Sequence, residues 1–425
     1  MQNQKLKAIL IDVITPDTSP YEAESRMEEL ENLTNTFGGV VVVKAIQKRG
    51  MPDYDTYIGK GKLDEIIEIG KAKGAQVIIV NNILKPRQSY SIEERLRKSG
   101  MSVWDRIDLI LKIFDKHAKT SEAKLQIELA GIEHMGPRIF GMGLDLMRQE
   151  GRVGVRSGQG ESNIEIMKRH LRTRKQSILK KLEDYEKIRK LHRDHRKRQN
   201  LKTAAIVGYT NAGKSSLLNA MTNKGAYVAD QLFATLSTRV GKLYIQPKNP
   251  NDEAPQPTKY IPGQEVLISD TIGFIQDLPP SLIQAFKSTL AETVEADMIL
   301  HVIDVTDPHM HKKIEVVEDI LRQLGVGDRR KIYVFNKIDM AIRSLPEEPD
   351  ANEYKGVVKA AKIAPKRLGW EEKERVEREK SKELKPPKEP LHEIKEKYSH
   401  HHPVFVSAVE KTNLDELIRS IAKFL

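Results

Sequence analysis

No cysteine occurs anywhere in the 425 residues. That absence removes disulfides, zinc–thiolate sites and thiol nucleophiles from consideration, and it accords with a reducing compartment. Long apolar runs are missing too: no stretch approaches the roughly 20 residues needed to cross a bilayer, so stable membrane insertion is not expected. The start, MQNQKLKAILIDVITPD, has its apolar run broken by Asp12 and no cleavage-site pattern after it, so it reads as a strand and not as a signal peptide. What remains is a cytoplasmic chain long enough for two or three domains, each with its own core.

What is present in excess is positive charge, and it is concentrated. The net formal charge is +11, and the segment from Lys168 to Lys202 holds 15 Lys or Arg against 4 Asp or Glu, so the rest of the chain is neutral. Such a segment favours a polyanion, either nucleic acid or an anionic membrane surface, through counterion release. A solvated helix face has the same composition.

The alternation of apolar and amphipathic stretches predicts an α/β chain in three parts. In residues 1–117, apolar runs at Ala8–Ile14, Val40–Ile46 and Gln76–Val80 alternate with helical stretches at Tyr21–Leu33 and Lys62–Lys73, and a helical stretch at Ser102–His117 closes an N-terminal α/β domain with a parallel or mixed sheet. In residues 118–200, Ala118, Leu125, Leu129 and Ile132 share one helix face. Ile164, Met167, Leu171, Ile178, Leu182, Tyr185 and Ile188 then recur at helical spacing. Two such helices pair as an antiparallel hairpin. Between them Gly151–Ser162 alternates glycines with Arg152 and Arg156, a composition that suits either phosphate contact or a hinge. Residues 201–425 return to α/β alternation, interrupted at about 343–402 by a proline-rich, charged insert with few large apolar residues, expected on a mobile loop. Its end, SHHHP at Ser399–Pro403, reads as solvated surface.

The chemistry lies in the third part. The strand-like AAIVG runs into Gly208, Tyr209, Thr210, Asn211, Ala212, Gly213, Lys214 and Ser215, the pattern G-x-x-x-x-G-K-S in its required strand–loop–helix setting. Loop amides and the helix N-terminus would cradle phosphates, Lys214 would place a charge near the β and γ phosphates, and the Ser215 hydroxyl would ligate Mg²⁺. Downstream, a strand ends in Asp270, followed by Thr271, Ile272 and Gly273. Asp270 would hold the metal through water, and the Gly273 amide would sense the γ-phosphate. A third strand ends in Asn336, Lys337, Ile338 and Asp339. The Asp339 carboxylate can accept from both N1–H and the 2-amino group of guanine, a donor pair adenine lacks, while Lys337 lies across the base and Asn336 braces the loop. Near the C-terminus a strand leads into Ser407, Ala408 and Val409, where the Ala408 amide would meet the guanine carbonyl. Four elements in this order make a GTP-binding, GTP-hydrolysing P-loop domain, with GTP and GDP as substrate and product. Phe274 stands where Ras-like enzymes carry a water-orienting glutamine. Slow intrinsic turnover, accelerated when a partner orders the switch loops, is the expectation.

Together these motifs resemble the HflX family of translational GTPases. The resemblance extends to YIGKGKLDEI at Tyr57–Ile66, the segment Asp105–Ala130, GQGESNIE at Gly158–Glu165 and DQLFATLS at Asp230–Ser237, so it covers roughly Ala8 to Leu425 apart from the insert. It implies a first switch at Phe233, Ala234, Thr235, Leu236 and Ser237, with Thr235 as a further Mg²⁺ ligand and, with Lys214 and Gly273, a catalytic group. Ser237, Thr238 and Arg239 follow directly where the family has a longer continuation, and Val409 stands where lysine is common. It also implies binding to the large ribosomal subunit and its RNA, separation or remodelling of stalled ribosomes, RNA contact by Arg152 and Arg156, and a monomer off the ribosome. The competing readings are an RNA-binding GTPase factor in large-subunit assembly and a switch held at the membrane periphery by the basic helix.

Overall fold

The computed structural model describes residues 5–118, 120–150, 163–199, 201–222, 239–245, 264–271, 273–275, 282, 291–343 and 391–425. They divide into two compact units, with the main break between Lys190 and Leu191. None of the described helices is long and apolar enough to cross a membrane.

In the first unit, β1 (Leu6–Ile14) is buried without interruption from Ala8 onward. A strand covered on both faces reads as a continuous apolar run, not as an alternation. It pairs in parallel with β2 (Gly39–Lys48) on one side and β3 (Val77–Val80) on the other, and β4 (Ser102–Asp105) completes the order β2-β1-β3-β4. Helix α1 (Pro20–Phe37) starts on the Ser19 hydroxyl, which accepts from the Glu22 amide at 3.1 Å, and stops at Gly38 with φ 100°. Helices α2 (Lys60–Lys73), α3 (Pro86–Leu96) and α4 (Arg106–His117) follow. The segment Ser102–His117 is therefore not one helix. Val103 and Trp104 join the sheet beside β3, and Asp105 ends the strand by capping α4, accepting from the Asp108 amide at 2.9 Å.

Two long helices follow, α5 (Ser121–Glu150) and α6 (Asn163–Arg198), the last residues of α6 counting with the second unit. They run antiparallel: Lys175 pairs with Glu133 at 2.8 Å and Arg174 with Glu128 at 2.6 Å, while Arg189, farther along α6, pairs with Glu122 near the start of α5. The buried face of α5 is broader than the stripe read from sequence. Ala123, Gln126, Ile127 and Ala130 are buried with Leu129, whereas Leu125 and Ile132 are half-buried. The reason is that α5 also packs on α3 and α4. His134 and Arg138 reach from it to Asp105 at the end of β4 and Asp108 in the first turn of α4. On α6, among the described residues of the expected stripe, only Ile178 is fully buried, and Met167 and Ile188 stay about half exposed, at 47% and 50%.

The second unit is a six-stranded sheet in the order β10-β9-β8-β5-β7-β6. Its strands are β5 (Lys202–Gly208), β6 (Arg239–Ile245), β7 (Gln264–Asp270), β8 (Met298–Asp304), β9 (Lys331–Asn336) and β10 (Val404–Phe405). All neighbours are parallel except β6 and β7. Alternate residues of β8, β9 and β10 build two cores, and β5, β6 and β7 add to the first of them. Ala204, Ile206, Val266, Leu300 and Val334 pack with α7 (Lys214–Thr222) and α12 (Leu414–Phe424). Ile303, Tyr333 and Phe335 face α9 (Met310–Gln323), α10 (Ile338–Arg343) and α11 (Leu391–Lys397). A short α8 (Ala291–Glu295) precedes β8.

Residues 344–390 of the expected insert lie outside the described residues, but its last part departs from expectation. Leu391 and Ile394 are buried in the same cluster as Ile338, Ala341 and Phe405. The histidine run is only partly solvated: His401 stacks on Tyr333 with ring centres 4.2 Å apart, and His402 lies against Phe424 at 4.4 Å. Composition over the whole segment hid a short amphipathic end that has a core to meet.

Candidate functional site

The carboxyl ends of β5, β7, β8 and β9 converge, the place where open α/β sheets put their ligands. β5 enters the P-loop at Gly208, whose φ of 152° belongs to glycine; a Cβ there would come within 2.2 Å of the Val302 carbonyl oxygen. Asn211 takes a left-handed φ of 63°, and Gly213 follows at 89°. A Cβ on Gly213 would lie 2.2 Å from Asn336 Nδ2, so only glycine lets β9 approach the loop. Lys214, the first residue of α7, is buried, and its ammonium donates to the Tyr209 carbonyl at 2.8 Å. Burial pushes this lysine down to about 8, opposed by Asp270 and reinforced by Lys337.

Asp270, at the end of β7, is fully buried. The Ser215 hydroxyl donates to its Oδ2 at 2.6 Å, while Oδ1 has no hydrogen-bond partner among the described residues. A buried carboxylate oxygen left in this way calls for a ligand. The neighbouring Thr271 hydroxyl is turned back to the Ile206 carbonyl at 2.7 Å. The backbone then pairs with the P-loop: the Thr210 amide donates to the Phe274 carbonyl at 2.8 Å, and the Phe274 amide donates to Gly208 at 3.1 Å. Gly273 is therefore pressed against the loop, where a Cβ would sit 2.8 Å from Thr210 Cγ2 and 2.9 Å from Lys214 Nζ. The Phe274 side chain is buried, 2% exposed, so it fills the interior beside the loop.

Asn336 joins the remaining segments. Its Nδ2 donates to the Ala212 carbonyl of the P-loop at 2.9 Å, and its Oδ1 accepts from the Ala408 amide at 3.0 Å. That amide, expected at the guanine carbonyl, is here engaged within the protein. The Ser407 hydroxyl accepts from the Glu410 amide at 3.0 Å and shapes the turn, leaving Val409 79% exposed. Lys337 holds a left-handed φ of 69°, and Asp339 is half-buried in the first turn of α10.

Of the sequence-predicted site residues, Arg152, Arg156, Ile272 and the whole Phe233–Ser237 switch lie outside the described residues. One side chain escaped the sequence reading: Asp304, at the end of β8, forms an ion pair with Lys337 at 2.7 Å. A strand-terminal aspartate is common, and only the register that sets Asp304 beside Asn336 brings it to the site.

Three family profiles match the chain. They are described as GTP-binding GTPase N-terminal over residues 24–115, GTP-binding GTPase Middle Region over 117–196, and 50S ribosome-binding GTPase over 203–337. A protein named GTPase HflX from Caldanaerobacter subterraneus subsp. tengcongensis is 43% identical over 340 residues, which cover 80% of this chain and 74% of that protein. GTPase HflX of Escherichia coli strain K12 is 38% identical over 316 residues, 74% of this chain and 69% of that one. Among solved structures, a crystal structure of SsGBP in complex with GDP is 25% identical, covers 98% of each chain and gives a TM-score of 0.48.

Proposed function

The chain belongs to the HflX family of GTPases and is a GTP hydrolase, and from that premise we propose that it works in the cytoplasm on the large ribosomal subunit, dissociating or remodelling stalled or idle ribosomes. The observation that carries the nucleotide reading is the pair of bonds made by Asn336, which ties the P-loop to the Ser407–Ala408 turn across wide sequence separations. On this reading Gly208–Ser215 wraps the phosphates, Lys214 turns its ammonium from the Tyr209 carbonyl toward them, and Asp339 selects guanine with Lys337 across the base.

The donor set fits Mg²⁺. Ser215 and Asp270 offer hard oxygens 2.6 Å apart, and the buried Asp270 Oδ1 has no partner among the described residues. Ser215, Thr235 and Asp270, the last through water, would hold the ion, which when bound neutralises charge on the β and γ phosphates. For hydrolysis the Gly273 amide must face the γ-phosphate. The Thr210–Phe274 and Phe274–Gly208 backbone pairs hold Gly273 beside Lys214 and the P-loop. Phe274 brings no polar group to the attacking water, so a partner that reorders this segment would set the rate.

The basic α6 supports an RNA partner, with Arg152 and Arg156 as the first side chains to test. The test is the rate of GTP hydrolysis with and without purified large subunits, for the whole chain and for a deletion of 151–162. Stimulation that the deletion abolishes is the expected result. Normal GTP binding with no stimulation would refute the ribosomal part, and precursor subunits accumulating on depletion, without stalled intact ribosomes, would favour assembly instead.

A further inference from the structure

Lys337 is expected to lie across the guanine, but a lysine side chain has four rotatable bonds and no intrinsic preference for that place. Its backbone is already constrained by the left-handed φ of 69°. The side chain is constrained as well: the ammonium meets Asp304 Oδ2 at 2.7 Å, with the two side chains only 22% and 18% exposed.

Asp304 is itself fixed at both ends. Its backbone lies in register with Asn336 on the neighbouring strand, and the next amide, Val305, donates to the Asn336 carbonyl at 3.1 Å. The other carboxylate oxygen, Oδ1, accepts from the Thr306 amide at 3.0 Å and from its hydroxyl at 2.7 Å. One oxygen therefore anchors the carboxylate to its own turn, and the other is left for Lys337. A fixed anion paired with a mostly buried lysine presets the stem of that lysine before any nucleotide arrives. It also offsets a positive charge that would otherwise stand uncompensated near Lys214.

We propose that Asp304 is a positioning residue for guanine nucleotide binding, acting through Lys337 by holding its side chain in the base-contacting conformation. The inference rests on the reading that Lys337 contacts the base. Without Asp304 the lysine must be ordered at the moment of binding, and the rotamer freedom regained by a long side chain corresponds to a loss of about tenfold in affinity.

The experiment is GDP binding by calorimetry, together with GTP turnover, for the full chain and for Asp304→Ala, Asp304→Asn, Lys337→Ala and the Asp304→Ala/Lys337→Ala double variant. GDP affinity is expected to fall about tenfold in Asp304→Ala. In Asp304→Asn, which keeps an acceptor and the Thr306 turn, the fall is smaller. KM for GTP rises with kcat unchanged. In the Lys337→Ala background the Asp304 substitution adds nothing, which a merely structural role for Asp304 would not produce. If Lys337→Ala weakens GDP binding but neither Asp304 variant does, or if an Asp304 variant tightens it, the positioning role is overturned while the reading of the base site stands. If Lys337→Ala leaves affinity untouched, the base contact fails and the inference fails with it. Should Asp304→Ala not fold, the Asn variant decides.

Discussion

Replacing Gly213 with alanine adds one carbon atom at a place where the structure leaves none. The new Cβ would lie 2.2 Å from Asn336 Nδ2, and the backbone there has a φ of 89° that L side chains rarely adopt. Two costs follow. The strained backbone contributes about 1–2 kcal/mol. Displacing Asn336 breaks its bonds to the Ala212 carbonyl and from the Ala408 amide, each worth about 1 kcal/mol net, and more if a buried group is left unpaired. The total is about 3–4 kcal/mol, which converts to a loss of two to three orders of magnitude in nucleotide affinity if the folded chain absorbs it at the loop. Gly325, at the end of α9, separates the two costs: its φ of 76° carries a comparable strain, but a Cβ would meet nothing within 4 Å. Gly325→Ala should therefore lower stability by about 1 kcal/mol and leave GDP affinity alone. The assays are thermal unfolding and calorimetric GDP titration of both variants. A Gly213→Ala protein that binds GDP within about twofold of the parent would refute the reasoning, because it would mean that Asn336 does not tie the loop.

Acid should destabilise the second unit through Glu318. Burial would raise this carboxyl, but the contacts with His301 and Lys331 outweigh it and hold it at about 2, below its ordinary range. Its stabilisation is full above the unfolded value and is lost as pH falls toward about 2. Burial of His301 lowers the pKa of that imidazole, so stability also falls as pH drops below about 6.5. Unfolding midpoints measured across this range should fall together, and the Glu318→Gln variant should lose the lower part of the dependence. In the first unit, Arg138→Met should cost about 3 kcal/mol in denaturant unfolding, since it removes a guanidinium from the fully buried Asp105. Ile394→Ala should cost a similar amount, about 3 kcal/mol, because the side chain is fully buried in the cluster that holds Ile338, Ala341 and Phe405. A surface residue of an insert would show about 0.5 kcal/mol or less.

The P-loop and the Asn336–Asp339 motif were legible in the sequence because their chemistry is local. A strand that ends in glycine, lysine and serine, or in asparagine, lysine and aspartate, carries its ligand groups on adjacent residues, and the order of such strand ends identifies the domain. The first strands were equally plain, since β1 and β3 are buried on both faces and read as apolar runs, β1 interrupted only by the buried Asp12. Periodicity failed where one segment serves two partners. Ser102–His117 splits into strand and helix because Val103 and Trp104 meet β3, and the buried face of α5 is set by α3 and α4 and not by a partner helix alone. Composition failed at Leu391–His402, where charged neighbours in the chain hid residues that a distant core would cover. By itself, then, the sequence determined which groups can bind phosphate, metal and guanine, because that depends on residue type and spacing along one strand end. Only the tertiary structure decided which of them are tied together, because the Asn336 bridge, the pressing of Gly273 on Lys214 and the Asp304–Lys337 pair depend on strand register between segments far apart in the chain.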